Sequence, residues 1–289
     1  MNGIINFLKP PGMSSNGAVV FLRGLTRVKK TGHAGTLDPG ASGVLPICIG
    51  KATRISSYMM GGSKEYIAEV TFGKRTDTGD SYGCVIERSD APLPDEKSVK
   101  GALQGFVGHT TQQTPAYSAV KHEGAKLYQL ARRGIEVAPK FRDIVIHEAE
   151  YVKQTRDDAH MLRIACGKGT YVRQLCEDIG QTLGLPAYMS FLVRTKCAGL
   201  DISKANTADE LKSMGDGISD VLLPMDSFLE KLPVIYANEE KGIYLINGND
   251  VSSEGEDIEE ARIYMQNRFL GLGQRLDGRL KINVLLVDR

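Results

Sequence analysis

The sequence predicts an α+β chain, a larger sheet-and-helix unit followed by a small β unit at its C-terminal end. Three observations predict this class. Apolar residues recur at helical spacing from Ala18 to Val28 and again from Val172 to Leu183. Runs rich in β-branched and aromatic residues at 65–72, 142–152, 160–166 and 281–287 read as strands. Composition turns acidic from about residue 207, and a boundary near residue 230 leaves 231–289 as a unit small for independent stability.

In chain order, Ser14, Ser15 and Asn16 offer caps for a first helix whose apolar face carries Ala18, Phe21, Leu22, Leu25 and Val28. That helix stops near Thr31-Gly32, which delivers KTGHAGTLDPGASGVL (30–45) as a loop. Strand alternation over 65–72 puts Tyr66, Ala68, Val70 and Phe72 on one face. RTDTGDSYG (75–83) is turn chemistry, SDAPLPDEK (89–97) a loop with two prolines, and Val99, Leu103 and Phe106 mark a short helix. Residues 108–142 are polar and irregular, a surface excursion from the main sheet with one helical piece around Leu127, Leu130 and Ala131. After two further strands, the helix bearing Val172, Leu175, Cys176, Ile179 and Leu183 closes at Gly184 and Pro186. SSEGEDIEE (252–260) reads as an exposed loop.

The 289 residues are 42% apolar and 25% charged, ordinary values for a globular protein. No apolar run reaches about 18 residues, so no membrane helix is expected, and the start MNGIINFLKPPG does not read as a secretory signal. Five widely spaced cysteines without a C-x-x-C argue against a disulfide framework or structural zinc and fit a reducing cytoplasm. Net charge is only +1, yet residues 1–60 carry seven basic residues (Lys9, Arg23, Arg27, Lys29, Lys30, Lys51, Arg54) against the single acid Asp38. A second cluster, Lys121, Lys126, Arg132, Arg133, Lys140 and Arg142, meets only Glu123 and Glu136. Such segregation is the footprint of a polyanionic partner, or else of solvated helix faces.

Familiar cofactor and metal signatures fail. GVLPICIGKAT (43–53) spaces its glycines wrongly for a P-loop and places Ala52 where Ser or Thr would hold magnesium. GKGTYV (167–172) has Val172 where a dinucleotide fingerprint needs its third glycine. The five histidines form no H-E-x-x-H, and there is no G-x-S-x-G elbow. No nucleotide cofactor and no metal are expected. Asp38 is then the residue that asks for a reason. Its glycine-rich loop is either a plain turn capped before Pro39 or a backbone shaped for close approach of something bulky. In the second case the carboxylate serves as nucleophile or general base.

The residues also carry a family resemblance. GHAGTLDPGASGVLPICIGKATR (32–54) resembles the G-H-x-G-T-L-D-P motif of the TruB family, the bacterial tRNA pseudouridine-55 synthases. Four further segments match in order: NFLKPPGMSS (6–15), KEYIAEVTFGKRTDTGDSYG (64–83), TQQTPAYSAVKHEGAKLYQLARRG (111–134) and CGKGTYVRQLCEDIG (166–180). The match at the last sixty or so residues, to the family's PUA-type RNA-binding module, is much weaker.

The resemblance implies a pseudouridine-synthase fold: a central mixed, mostly antiparallel sheet flanked by helices, with a PUA-like β module at the C-terminal end. It implies a catalytic domain over 1–230 with a thumb-like RNA-binding insertion at about 108–142, and the small module over 231–289. The implied activity is isomerisation of a T-loop uridine of tRNA, without cofactor, by a monomer that flips the base into a pocket. Asp38 matches the catalytic aspartate, and Arg173 the arginine that pairs with it and favours its ionised form. Tyr66 matches the tyrosine that stacks on the flipped uracil, Tyr171 and Leu192 pocket walls, and His33 the histidine that supports the everted RNA. Lys9 is expected to grip phosphate. The atom Asp38 attacks stays open. Thr114-Pro115 departs from the family's Pro-Pro, with a small effect expected on loop rigidity. The other reading is a non-catalytic tRNA-binding or folding protein on the same scaffold, which would not need Asp38.

Overall fold

The computed structural model describes residues 1–288 apart from Ala119, Arg132 and Glu136. Strand β1 (Gly3–Lys9) is buried along nearly its whole length, Lys9 included. Ser14 then accepts the Gly17 N–H and caps α1 (Ser15–Thr26), whose Ala18, Val19 and Leu22 enter the core. The glycine-rich stretch after it is not loop throughout. Its ends are strands, β2 (Thr31–His33) and β3 (Ser42–Ile49), paired antiparallel, because backbone groups entering the interior find partners there. The loop proper is the segment 34–41 between them.

A 3₁₀ turn and α2 (Ser56–Gly61) lead into β4 (Lys64–Phe72), which buries Tyr66, Ala68, Val70 and Phe72 as its alternation requires. The small ribbon β5 (Lys74–Thr76) and β6 (Val85–Arg88) brackets the turn chemistry of 77–84. Asp95 caps α3 (Glu96–Gln104), which buries Val99 and Leu103. Next, β7 (Gly108–Gln113) pairs with the start of β10 (Phe141–Arg156). Residues 108–113 and 141–146 therefore belong to the main sheet, and the excursion is confined to 114–140. A polar strand such as GHTTQQ suits a sheet edge, where half of its side chains face water. The excursion holds β8 (Lys121–His122), β9 (Ala125–Lys126) and α4 (Leu127–Ala131). Arg132 and Glu136 of the second basic cluster lie outside the described residues, as do the side chains of Lys121 and Lys126.

β11 (Ala159–Cys166), α5 (Val172–Thr182), β12 (Ala187–Cys197), β13 (Leu200–Asp201) and α6 (Ala208–Met214) complete the larger unit. Strand order is β1-β3-β12-β4-β11-β10-β7, with β2 and β13 added at β3 and β12. Only the short β3–β12 contact is parallel, so the sheet is mixed and mostly antiparallel. Helices α1, α3, α5 and α6 pack on one face. That face also carries Ile5, Phe7, Leu45 and Ile47, whereas Ile4, Val44 and Cys48 pack in a separate cluster with Met59 and Cys197.

A second sheet follows, formed by β14 (Val234–Ala237), β15 (Val251–Ser252), β16 (Ile258–Met265), β17 (Arg268–Leu276) and β18 (Arg279–Leu285), with α7 (Glu239–Ile246) packed on it. It has its own core, including Ile235, Leu245, Ala261, Ile263 and Leu270. Leu272 and Leu286 meet Ile55 and Leu229 where it joins the larger unit.

Candidate active site

Asp38 sits in a loop fastened from four directions. Ser15, the first residue of α1, both donates its hydroxyl to the Leu37 carbonyl (2.8 Å) and accepts the Leu37 N–H (2.9 Å). The Gly12 N–H donates to the Pro39 carbonyl at 2.8 Å. Lys9, fully buried, donates its ammonium to the carbonyls of Pro10 (2.8 Å), Met13 (2.7 Å) and Pro39 (3.3 Å). Arg194 on β12, also buried, donates to the carbonyls of Val44 (2.8 Å), Thr36 (3.1 Å) and Gly35 (3.1 Å). Gly43 lets β3 lie against β12 there: its φ is +116°, and a Cβ would stand 2.2 Å from the Arg194 carbonyl oxygen.

The carboxylate of Asp38 is half-buried and meets Arg173, from the first turn of α5, with Nε 2.9 Å from Oδ2 and Nη2 3.4 Å from Oδ1. The Nε–H points off the line to the oxygen, so this half of the contact is an ion pair rather than a straight hydrogen bond. The rest of the guanidinium is held by the carbonyls of Thr78 (2.8 Å) and Tyr117 (2.9 Å). The start of α5 is itself clasped to the sheet edge. Gln112 on β7 donates to the Tyr171 carbonyl (3.1 Å) and accepts the Tyr171 N–H (2.8 Å). Beside it, Arg142 lies over the Tyr171 ring at 5.1 Å.

Thr114 makes the departure from Pro-Pro consequential. Its N–H donates to the Lys140 carbonyl at 2.7 Å and its hydroxyl accepts from Arg142 at 3.2 Å. Proline offers neither group, so threonine here tightens the base of the 114–140 excursion.

Asp38 lines a small surface cleft together with residues 40–41, 80–82 and 189–192. Leu192 lines it. Asp80 shapes one wall, accepting from the Thr78 hydroxyl (2.6 Å) and the Tyr82 N–H (3.0 Å). The sequence-expected residues thus divide. Asp38 and Arg173 touch, Leu192 lines the same cleft as Asp38, and Tyr171 lies two positions before Arg173. Tyr66 is buried one strand over, register partner of Arg194. Burial pushes its phenol up to about 12, against the opposing pull of the Arg194 charge, so it keeps its proton at neutral pH. His33 ends β2, with Nδ1 buried and unpaired; burial first and Arg194 second lower its pKa, favouring the neutral ring.

Lys9, expected to grip phosphate, has no exposed surface here and its ammonium lies on three carbonyls, an arrangement that braces the Asp38 loop. Burial pulls the ammonium down to about 8, partly offset by the Asp38 charge. Arg194 was not singled out from sequence, and Ser15 was read only as a cap of the first helix. The signal for Arg194 was strand alternation, which puts it inward on the same face as Leu192. Among the described residues, no group of three or more His, Cys, Asp or Glu side chains is placed to hold a metal ion.

Comparison with known proteins identifies the family. The profile of the TruB family pseudouridylate synthase (N terminal domain) matches residues 23–172, and that of the tRNA pseudouridylate synthase B C-terminal domain matches 173–230. The tRNA pseudouridine synthase B of Alkaliphilus oremlandii is 40% identical over 281 residues, covering 94% of this chain and 93% of that protein. The protein of the same name from Clostridium perfringens strain 13 is 38% identical over 295 residues, covering 100% of each. Among solved structures, a chain of a Cbf5-Nop10-Gar1 complex superposes with a TM-score of 0.74 at 23% identity, covering 99% of this chain and 85% of that one, a likeness of fold. With such identities sustained along its length, the chain belongs to the TruB family of pseudouridylate synthases.

Proposed function

We propose that this protein isomerises a uridine of tRNA to pseudouridine, at position 55 in the T-loop. The observation that carries the reading is Asp38, a carboxylate at a cleft and in contact with a buried arginine, in a chain whose curated relatives are named tRNA pseudouridine synthase B. The reaction breaks the C1′–N1 bond of the uridine and forms C1′–C5; the proton leaves C5 and N1 ends protonated, so no electrons, metal or nucleotide are consumed. Asp38 acts on the ribose–uracil unit and Arg173 carries its counter-charge. Tyr66 stacks on the everted uracil, a role that its retained proton permits. Leu192 and Tyr171 form walls, and neutral His33 supports the RNA where the base has left the stack.

The excursion between 114 and 140 grips backbone, and the module over 231–289 adds a second RNA-binding surface to the 1–230 catalytic domain. The protein acts as a monomer in the cytoplasm. A binding-only role on the same scaffold is disfavoured, since it gives no reason for holding Arg173 against Asp38. The test is incubation with an unmodified T-arm stem-loop followed by mapping of pseudouridine. Wild type is expected to give product at the T-loop uridine and Asp38→Asn none above background. Product from Asp38→Asn at the wild-type rate would overturn the role of Asp38.

A further inference from the structure

The mouth of the Asp38 cleft carries an aromatic side chain that the reading so far leaves without work. Tyr82 is 74% exposed, and its ring lies on Gly40, two residues after Asp38. A Cβ at Gly40 would stand 2.0 Å from Cε2 and 2.7 Å from Cζ of that ring. Gly40 does not have a left-handed φ. What glycine supplies there is room for the ring, not conformational freedom.

The backbone beneath Tyr82 is held while its side chain is not. Its N–H donates to Asp80 at 3.0 Å, the neighbouring Ser81 hydroxyl donates to the Ser190 carbonyl at 2.8 Å, and Met189 N–H donates to Gly79 at 3.0 Å. Among the described residues the Tyr82 hydroxyl makes no hydrogen bond, so rotation of the ring away from Gly40 breaks none. Phe191, 46% exposed, lines the same cleft from β12. Two exposed rings lining the cleft that holds Asp38 form a surface for flat, apolar-faced groups. A nucleic-acid loop with one base turned out presents that chemistry, because the neighbouring bases lose a stacking partner.

We propose that Tyr82 leaves Gly40 when RNA enters and stacks on a nucleobase adjoining the everted uridine, as a positioning residue that sets affinity for the RNA loop. The inference rests on the reading of the chain as an RNA-modifying enzyme. The alternative, a ring that only shields the Asp38 loop, makes the opposite prediction for binding: removing it would leave affinity unchanged or improve it.

The chain contains no tryptophan, so Tyr82→Trp introduces a single tryptophan at the cleft, excited selectively at wavelengths where tyrosine does not absorb. In an Asp38→Asn background, titration with the unmodified T-arm stem-loop is expected to quench its emission at least twofold at saturation, with binding followed separately by filter retention. In otherwise wild-type protein, Tyr82→Ala is expected to raise KM about tenfold with kcat changed less than twofold, and Tyr82→Phe to behave as wild type. Unchanged emission at saturating RNA, or a Tyr82→Ala KM equal to or below that of wild type, would overturn the proposal. Quenching does not depend on turnover. If RNA binds and quenches while wild type makes no pseudouridine, the reaction is lost and the stacking role stands.

Discussion

Arg194 brings a charge into the interior where, among the described residues, no carboxylate pairs with it; its hydrogen bonds run to the carbonyls of Val44, Thr36 and Gly35. A buried cation without a counter-ion costs several kcal/mol unless its donors are satisfied, and here the planar fork finds acceptors that a point charge would miss. What this arrangement secures is the placement of residues 35–38, and with them Asp38. Arg194→Lys keeps the charge and loses the fork. It is expected to cost on the order of 2 kcal/mol in stability and to lower kcat roughly 10- to 100-fold through misplacement of the carboxylate, with RNA affinity within about twofold. Single-turnover kinetics beside thermal melting checks this, and an unchanged kcat would show that Asp38 does not depend on Arg194. Strand alternation made the inward direction of Arg194 legible. Its partners were not, because backbone carbonyls some 150 positions away have no residue identity for a sequence pattern to reveal. For the same reason Lys9 read as a phosphate ligand, since burial of a lysine leaves no mark in its own neighbourhood.

Within α5, Arg173 and Glu177 stand one turn apart and both face the Thr78–Gly79 turn. Gly79 has a φ of +71°, and a Cβ there would lie 2.7 Å from Glu177 Oε1. Burial pushes the Glu177 carboxyl up to about 7, with Arg75 and Arg173 pulling it down and Asp178 adding to the rise. Its folded pKa thus lies above its ordinary value of 4.5. The stability it contributes is fully present below pH 4.5 and is lost as pH rises through about 7. Glu177→Gln should therefore match wild type near pH 5 and exceed it at pH 8 by on the order of 1–2 kcal/mol, discounted for partial exposure. Urea midpoints at the two pH values test this, and equal midpoints at pH 8 would count against it. Helical periodicity located α1 and α5 to within a few residues, and alternation located β4, because each buries one continuous face. β2 and β7 escaped notice. Three residues, Thr31–His33, carry too short a pattern, and the polar GHTTQQ becomes a strand only because β10 supplies its ladder. Both are tertiary decisions rather than local ones.

For the whole molecule, the question is whether RNA binding follows the net charge of +1 or the local concentration of basic residues. Of the seven in residues 1–60, three are turned to other tasks. Lys9 is buried, Lys51 pairs with Asp288 at 2.6 Å, and Arg54 donates to the Leu285 carbonyl at 2.7 Å. Arg23, Arg27, Lys29 and Lys30 remain exposed, gathered from the end of α1 to the entry of β2, directly ahead of the Asp38 loop. Clustering was visible in the sequence, whereas the division between inward and outward charges was not. If those four each neutralise a phosphate, they contribute about −3 to −4 to the slope of log K against log salt. Raising salt from about 0.1 to 0.4 M then weakens binding roughly a hundredfold through these four alone. Replacing all four by glutamine should reduce the slope by about 3 to 4 and leave the share of the 114–140 excursion, whereas Lys9→Met should leave it unchanged, because a lysine without exposed surface displaces no counterions from the RNA. Filter binding of a T-arm stem-loop across a salt series measures both. A slope near zero in wild type would mean that net charge governs the encounter, and a flattened slope in Lys9→Met would mean that this ammonium reaches phosphate after all.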